Sequence, residues 1–302
     1  VSSMRVNMGN IENKGIELTI NATPIQLRDF SWQTTLTYTK NKNKVLKLSE
    51  GKSFVEDGKY LIEEGSPLGQ WFGQKALGIY ATDEANAYIK NSDGSFGDRL
   101  IPVYQRDPNN YNNYIYGSNG KPIFSHYETK GGQKYTGDVG KMTTAGSVSK
   151  GGDIIWDDLD HDGVIGDSDR RILGNGMPTW YMGWTNYLNY KNFSLSFSFY
   201  GSFGNKIYNK QRRDLLQNSS SNMTPLARDC YRLWKYQGQI TEVYSSAKAT
   251  TGVNNARELS SFFLEDGDYI RLTNARLAYR VDRNFTKRFH LSLIHISEPT
   301  RP

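Results

Sequence analysis

The sequence predicts an all-β chain that forms part of a large antiparallel transmembrane β-barrel with long extracellular loops. Several segments of roughly nine to eleven residues, the length that a tilted strand needs to cross a bilayer, alternate apolar and polar side chains, which is the period of a strand with one apolar face. The polar face is rich in small hydroxylated residues, as expected of a wall that lines a lumen. The connections are unequal in length, which is typical of outer-membrane barrels.

Five segments carry this alternation. In the first, GIELTINA (15–22), the residues Ile16, Leu18 and Ile20 share one face. The others are FSWQTTLTYT (30–39), WYMGWTNYL (180–188), FSLSFSFYGSF (193–203) and DYIRLTNARLAYRV (268–281). The last one loses its alternation between Leu272 and Ala275, where a β-bulge and a wrong strand assignment are both possible explanations.

The connections between these strands fall into two classes. TPIQLRD (23–29) and NYKN (189–192) are short, whereas the stretches from about 41 to 66, 81 to 178 and 205 to 266 are long. We expect additional strands in the long stretches, for example in GQWFGQKALGIY (69–80). Aromatic residues near the strand ends suit a membrane interface; they are Tyr38, Tyr187, Tyr190 and Phe203. Because a soluble β-sandwich also alternates, a secreted carbohydrate-binding sandwich remains the alternative.

Composition excludes several other classes. No stretch approaches eighteen apolar residues, so we expect no transmembrane helix. The 37 basic and 31 acidic residues are interspersed, which argues against a nucleic-acid surface. Cys230 is the sole cysteine, which excludes an intrachain disulfide framework. His126 and His290 lie outside any catalytic motif, and the adjacent Glu63 and Glu64 are expected to be solvated charges. We therefore predict that the chain is not an enzyme.

The segment DLDHDGVIGDSD (158–169) has the spacing of an EF-hand calcium loop. Its predicted ligands are the carboxylates of Asp158, Asp160, Asp162 and Asp169 and the carbonyl of Val164. The usual closing residue is a glutamate, so an aspartate at position 169 predicts modest affinity. The alternative is a metal-free turn in which the aspartates accept backbone hydrogen bonds and Arg170 and Arg171 neutralise them. His161, at the fourth place, is expected to be exposed to solvent.

Five blocks of the chain, in order, resemble the barrel portion of the SusC/RagA-type TonB-dependent outer-membrane transporters. The two most specific motifs are ENKGIEL (12–18) and DGVIGDSDRRILGNGMP (162–178). The blocks are NMGNIENKGIELTINATPI, FSWQTTLTYTKNKNKVLKL, EGSPLGQWFGQKALGIY, GDIIWDDLDHDGVIGDSDRRILGNGMPTWYMGWTNYLNYKNFSLSFSFYGSFGN and FLEDGDYIRLTNARLAY. The resemblance implies a barrel of about 22 strands when complete, an N-terminal plug, and a location in the outer membrane of a Gram-negative bacterium.

The resemblance also implies a function and partners. Such transporters import an oligomeric nutrient, either an oligosaccharide or a peptide, with a SusD-like surface lipoprotein and with energy from TonB–ExbB–ExbD. Loop tyrosines are candidates for stacking on substrate; they are Tyr111, Tyr114, Tyr116 and Tyr127. Residues 1–290 are expected to form a partial barrel without the plug and the final strands. Residues 291–302, LSLIHISEPTRP, resemble a translated sequencing adapter and are expected to be an artefactual tail.

Overall fold

The structure, a computed structural model, describes residues 9–49, 51–217, 227–245, 255 and 259–281. His290 and the segment 291–302 lie outside these residues, so the expectations about the domain boundary and the tail stay predictions. Over the described part, the chain is mostly β-strand. It divides into two compact units, one comprising 12–43, 178–205 and 267–281 and the other comprising 9–11, 44–177, 206–245, 255 and 259–266.

In the part of the chain that the structure describes, all strands but five are short. They are β1 Gly9–Gln26, β2 Phe30–Leu48, β3 Phe54–Glu56, β4 Tyr60–Ile62, β5 Gln70–Gln74, β6 Ala76–Ile79, β7 Tyr88–Lys90, β8 Phe96–Arg99, β9 Ile101–Tyr104, β10 Arg106–Asp107, β11 Asn110–Tyr114, β12 Phe124–Glu128, β13 Lys134–Tyr135, β14 Val139–Gly140, β15 Thr143–Thr144, β16 Ser147–Val148, β17 Ile154–Trp156, β18 Val164–Ile165, β19 Arg170–Asn175, β20 Trp180–Tyr190, β21 Phe193–Phe203, β22 Lys206–Tyr208, β23 Leu264–Asp266 and β24 Tyr269–Tyr279.

Four helical segments accompany the strands within the described residues. They are the helices α1 Lys210–Gln217 and α2 Ala227–Cys230 and two 3₁₀ turns, Asp83–Ala85 and Ser261–Phe263. Among the described residues, no helix has the length and apolar character needed to cross a membrane.

The five long strands form one antiparallel sheet in the order β1-β2-β20-β21-β24. The register places apolar residues opposite apolar residues, because directly paired residues point to the same face. Leu36 lies opposite Trp184, which lies opposite Phe199, which lies opposite Leu272. The neighbouring row on the other face is polar and consists of Thr35, Thr185, Ser198 and Asn274. The predicted two-faced strands are therefore confirmed.

Short turns and long connections leave opposite ends of this sheet. Residues 27–29 join β1 to β2, and Lys191 and Asn192 join β20 to β21 at the same end, where the amide of Lys191 donates to the carbonyl of Asp29 (2.8 Å). Residues 49–179 and 204–268 leave from the other end, because Lys40 pairs with Trp180 and Ser202 with Tyr269. The predicted inequality of the connections is confirmed.

Two strand boundaries differ from the prediction. β1 and β2 contain 18 and 19 residues, so Thr23–Gln26 belongs to a strand and the long connection expected near residue 41 begins after Leu48. The sequence NKNKVLKL (41–48) has polar residues on both faces and so gives no amphipathic signal for a strand, although Val45 and Leu48 are buried in the structure. In β24, pairing passes directly from Asn274 to Leu272, so Thr273 forms the bulge that accounts for the lost alternation.

The second unit is built from the long connections. Its sheets are small, and the largest has the order β19-β5-β4-β3. The predicted strand 69–80 is two strands in two different sheets, because β5 pairs with β4 and β19 whereas β6 pairs with β17. The main hydrophobic core contains residues from both long connections, 49–179 and 204–268. Its buried residues are Ile154, Trp156, Ile165, Leu216, Val243, Tyr244 and Phe263. A second cluster consists of Tyr80, Tyr88, Met142 and Ile155.

Candidate functional site

The aspartate-rich loop 158–169 lies between β17 and β19 of the second unit. The preceding strand, Ile154–Trp156, is buried over its whole length, so its apolar run fixes the start of the loop in the core. β18 lies within the loop and pairs in parallel with β15. Gly163 has φ +79°, a conformation that L side chains rarely adopt, and it allows the sharp turn that the sequence pattern predicts.

Three of the predicted ligands converge. The side chains of Asp158, Asp160 and Asp162 each place one carboxylate oxygen within 4.8 Å of the other two. Each carboxylate also accepts a backbone hydrogen bond: Asp158 Oδ2 from Gly163 N at 3.0 Å, Asp160 Oδ1 from Asp162 N at 3.3 Å, and Asp162 Oδ1 from Val164 N at 2.6 Å. These turns explain why alternate aspartates point to the same side of the loop.

Asp169 has a different environment. It is fully buried and lies outside the group of three converging carboxylates. Its Oδ1 accepts a hydrogen bond from Leu159 N (2.8 Å), and its Oδ2 accepts one from Gly166 N (2.7 Å). In the structure this side chain closes the loop by joining its beginning to its end.

Asp158 is the least solvated of the three converging residues, with 7% of its surface exposed. Burial raises the pKa of its carboxyl group; the N–H of Gly163 opposes that shift, while the negative charges of Asp169 and Asp162 increase it. Its Oδ1 is buried and has no hydrogen-bond partner. The side chain therefore presents an uncompensated oxygen, which is costly in a buried position.

The two arginines after the loop are occupied elsewhere. Arg171 forms an ion pair with Asp157 at 2.5 Å. Arg170 donates hydrogen bonds to the carbonyls of Gly58 and Phe72. The backbone hydrogen bonds that the metal-free alternative predicts are present, but neither arginine forms an ion pair with the converging carboxylates. His161 is exposed, as predicted.

Segments distant in sequence hold the loop in place, and nothing in the local sequence pointed to them. Phe96 N donates to His161 O (2.8 Å), and Thr143 N donates to Gly163 O (2.9 Å). Gln74 Nε2 donates to Gly166 O (2.8 Å). Phe96, Thr143 and Gln74 form no sequence motif with the loop, so only the tertiary structure reveals these contacts.

The candidate substrate tyrosines fall into two pairs. Tyr114 packs edge-on against Tyr104 and lies under the guanidinium of Arg106, whose Cζ is 3.9 Å from the ring centre. Tyr127 packs against Phe124. In contrast, Tyr111 and Tyr116 are 79% and 51% exposed. The structure therefore leaves Tyr111 and Tyr116 as the accessible members of the set.

The adjacent glutamates do not act together. Glu63 accepts a hydrogen bond from the Ser66 hydroxyl, and Glu64 accepts one from the backbone of Leu48. Glu63 therefore serves a local turn, whereas Glu64 binds the end of β2.

The known proteins with sequences similar to this chain are receptors of one kind. TonB-dependent receptor P39 of Formosa agariphila is 35% identical over 281 residues, which cover 92% of this chain and 25% of that receptor. TonB-dependent receptor SusC of Bacteroides thetaiotaomicron is 25% identical over 279 residues, which cover 92% of this chain and 21% of SusC. These relatives are receptors and not enzymes, as the sequence predicted. No protein-family model matches the chain.

The fold has a counterpart among solved structures. The structure of the RagAB peptide transporter matches with a TM-score of 0.55 at 16% sequence identity, over 90% of this chain and 23% of that chain. The same importer in its open-open state matches with a TM-score of 0.51. Sequence relatives and fold agree: the chain belongs to the SusC/RagA-type TonB-dependent receptors, which are outer-membrane β-barrels, and it spans about a quarter of the length of the curated relatives that it matches.

Proposed function

We propose that this chain is part of a TonB-dependent importer that carries an oligomeric nutrient, an oligosaccharide or a peptide, across the outer membrane. The five-stranded sheet is a section of the barrel wall, which contains about 22 strands when complete. A SusD-like lipoprotein assists capture at the cell surface. TonB–ExbB–ExbD supplies energy through a part of the receptor outside this chain.

One observation carries the wall assignment. The apolar face of the sheet continues across β2, β20, β21 and β24, and large side chains on it are exposed, for example Leu272 (52%) and Leu277 (70%). Over its described residues, the unit that holds this sheet contains no second sheet or helix. A face of this kind fits lipid on one side, and the hydroxylated opposite face fits a lumen.

The connections support the orientation of the wall. Outer-membrane barrels have short periplasmic turns and longer extracellular loops. We therefore assign the turns at 27–29 and 191–192 to the periplasm and the unit built from the long connections to the cell exterior. Tyr111 and Tyr116 then belong to the external side, where their exposed rings are available to stack on sugar rings or on peptide side chains.

A calcium-containing β-sandwich is the less favoured alternative. A sandwich needs a second sheet packed on the apolar face of the first. Within the described residues of the unit that contains the long strands, β1, β2, β20, β21 and β24 form a single sheet.

Import is tested with the complete receptor in its own cell. The gene is deleted and restored as wild type, as a Tyr111→Ala/Tyr116→Ala variant, and as a control with Tyr231→Ala, another exposed tyrosine. Uptake of fluorescent oligosaccharides and of fluorescent oligopeptides is then measured. We expect deletion to abolish uptake of one class and collapse of the proton gradient to do the same. Unchanged uptake of both classes after deletion would contradict the proposal.

A further inference from the structure

We propose that Asp158, Asp160 and Asp162 bind a hard divalent cation, with calcium the best fit, and that this cation fixes the loop 158–166 to the segments around Phe96 and Thr143. The proposal concerns the order of the unit built from the long connections. It does not depend on which nutrient the receptor imports, or on import itself.

The spacing of the oxygens fits such an ion. Calcium binds oxygen ligands at about 2.3–2.6 Å, so its ligands lie within about 5 Å of one another. One oxygen from each of the three carboxylates meets this condition, since all three lie within 4.8 Å. Oxygen-only donors favour calcium or magnesium over softer metals. Calcium accepts irregular coordination geometry, whereas magnesium demands a near-ideal octahedron, so an irregular loop of this kind favours calcium.

A separate observation points to a missing ligand. Asp158 is 7% exposed, and its Oδ1 is buried without any hydrogen-bond partner. Its other oxygen already accepts the N–H of Gly163. The turn with Gly163 accounts for the position of Oδ2, but it gives no reason for burying Oδ1 without a hydrogen bond. A bound cation satisfies this oxygen, because a metal ion takes the place of the absent donor.

The local charge points the same way. In the described part of the chain, no lysine, arginine or histidine forms an ion pair with any of the three carboxylates; Arg171 is paired with Asp157 instead. Three negative charges held close together repel one another unless a counter-ion is present. A divalent cation removes most of that repulsion.

The loop transmits its order through backbone hydrogen bonds. The carbonyl of His161, between Asp160 and Asp162, accepts the N–H of Phe96, and the carbonyl of Gly163 accepts the N–H of Thr143. Fixing the carboxylates fixes these carbonyls. Hydrogen exchange at the amides of Phe96 and Thr143 therefore reports whether the cation is bound, although Phe96 lies about sixty residues and Thr143 about twenty residues before the loop.

Asp169 acts as a positioning residue in this proposal. Both of its oxygens accept backbone N–H groups across the loop, so it holds the loop closed while the three other aspartates face the ion. With three carboxylates and no bidentate glutamate, we expect a dissociation constant on the order of 10⁻⁴ to 10⁻³ M, as in extracellular calcium modules.

The test uses the complete receptor, purified in detergent and freed of divalent ions with a chelator. Calcium chloride is titrated while hydrogen exchange is followed at Phe96 and Thr143. The key variant is Asp160→Asn/Asp162→Asn, because an asparagine oxygen keeps the two turn hydrogen bonds but removes the charges. The matched control is Asp93→Asn, since Asp93 forms the same kind of turn with Ser95 N (2.9 Å) outside the loop.

We expect calcium to slow exchange at both amides in the wild type and in the Asp93→Asn control. In the double variant the midpoint should rise by about tenfold or more, because two of the three charged ligands are lost. Exchange that does not respond to calcium in the wild type would overturn the proposal, as would a double variant that responds at wild-type concentrations. The wild-type titration alone decides the matter if the double variant does not assemble.

Discussion

Arg212 donates two hydrogen bonds to the carboxylate of Asp229, with Nε 3.0 Å from Oδ2 and Nη2 3.0 Å from Oδ1. The pair joins α1 to α2, and Asp229 is only 2% exposed. Arg212 also donates to the carbonyl of Phe262 and lies over its ring. One guanidinium therefore connects three separate segments of the second long connection.

Replacing Asp229 by asparagine should destabilise this connection strongly. The change removes the main charged partner of a largely buried guanidinium, whose other ion-pair contact, to Glu265, is 3.9 Å long. Breaking a buried pair typically costs about 3–5 kcal/mol. We expect about 3 kcal/mol, at the lower end of this range, because Arg212 keeps the carbonyl of Phe262. The measurement is the free energy of local opening, obtained from amide exchange around α1.

The control for this change is Glu242→Gln. Glu242 pairs with Arg232 at 2.9 Å, but both side chains are exposed, and exposed pairs contribute about 0–1 kcal/mol. Equal effects of the two substitutions would show that burial of Asp229 does not set the strength of its ion pair.

Asp83 gives a pH-dependent contribution. Its carboxylate accepts hydrogen bonds from Lys121 Nζ (2.5 Å), Gln237 Nε2 (2.9 Å) and Gly151 N (2.9 Å). Burial raises the pKa of Asp83, but the three hydrogen bonds and the charge of Lys121 together lower it by more, so that the net shift is downward from 3.8. The folded state thus has the lower pKa. The stabilisation is complete above pH 3.8 and is lost as the pH falls through the folded-state pKa.

Asp83→Asn tests this linkage. At neutral pH the substitution should cost about 1.5–3 kcal/mol, the usual range for hydrogen bonds to a charged group. The difference from wild type should shrink as the medium is acidified. The readout is exchange of the Gly151 amide, corrected for the intrinsic rate at each pH. Asp98→Asn, which removes an exposed pair with Lys130, should change little at any pH. A wild-type advantage that persists in acid would contradict the assignment.

Gly163 is predicted to resist substitution for two reasons that can be separated. Its φ of +79° strains any L residue, and an added Cβ would lie 2.5 Å from Cζ of Phe96. Gly94 has φ +90° with nothing within 4 Å of an added Cβ. Gly94→Ala should therefore show backbone strain alone, about 1–2 kcal/mol, and Gly163→Ala should cost clearly more. Equal costs would mean that the Phe96 ring moves aside freely.

The sequence predicts the wall of this protein far better than its loops. Alternation identifies a strand when one face is apolar, as at Leu36 and Phe199. Its loss between Leu272 and Ala275 left a bulge and a wrong strand assignment open, and the pairing of β24 shows a bulge at Thr273. Alternation does not detect the extension of β2 through NKNKVLKL, because polar residues on both faces give no period. The long connections were predicted as loops with hidden strands, yet they form a unit with its own core around Trp156.

The candidate site divides in the same way. The Asp-x-Asp spacing predicts the convergence of Asp158, Asp160 and Asp162, because hydrogen bonds to residues close in sequence produce it. Two outcomes depend on distant contacts and were not predicted. Arg171 is taken by Asp157, and the loop carbonyls are held by Phe96 and Thr143. The sequence of the loop does not indicate which distant residues it contacts.

The last prediction concerns the two faces of β24. Leu272 lies on the apolar face opposite Phe199, whereas Asn274 lies on the polar face opposite Ser198. The native arginines of this strand, Arg271 and Arg276, pair with Tyr200 and Ser196 and share the polar face. If the apolar face meets lipid, Leu272→Arg should destabilise the barrel by about 2–4 kcal/mol near the bilayer midplane, while Asn274→Arg should be tolerated. The measurement is the amount of heat-modifiable, folded receptor in outer membranes for each variant. Similar folded yields for the two arginine variants would mean that lipid does not cover the Leu272 face, and the wall assignment would then fail.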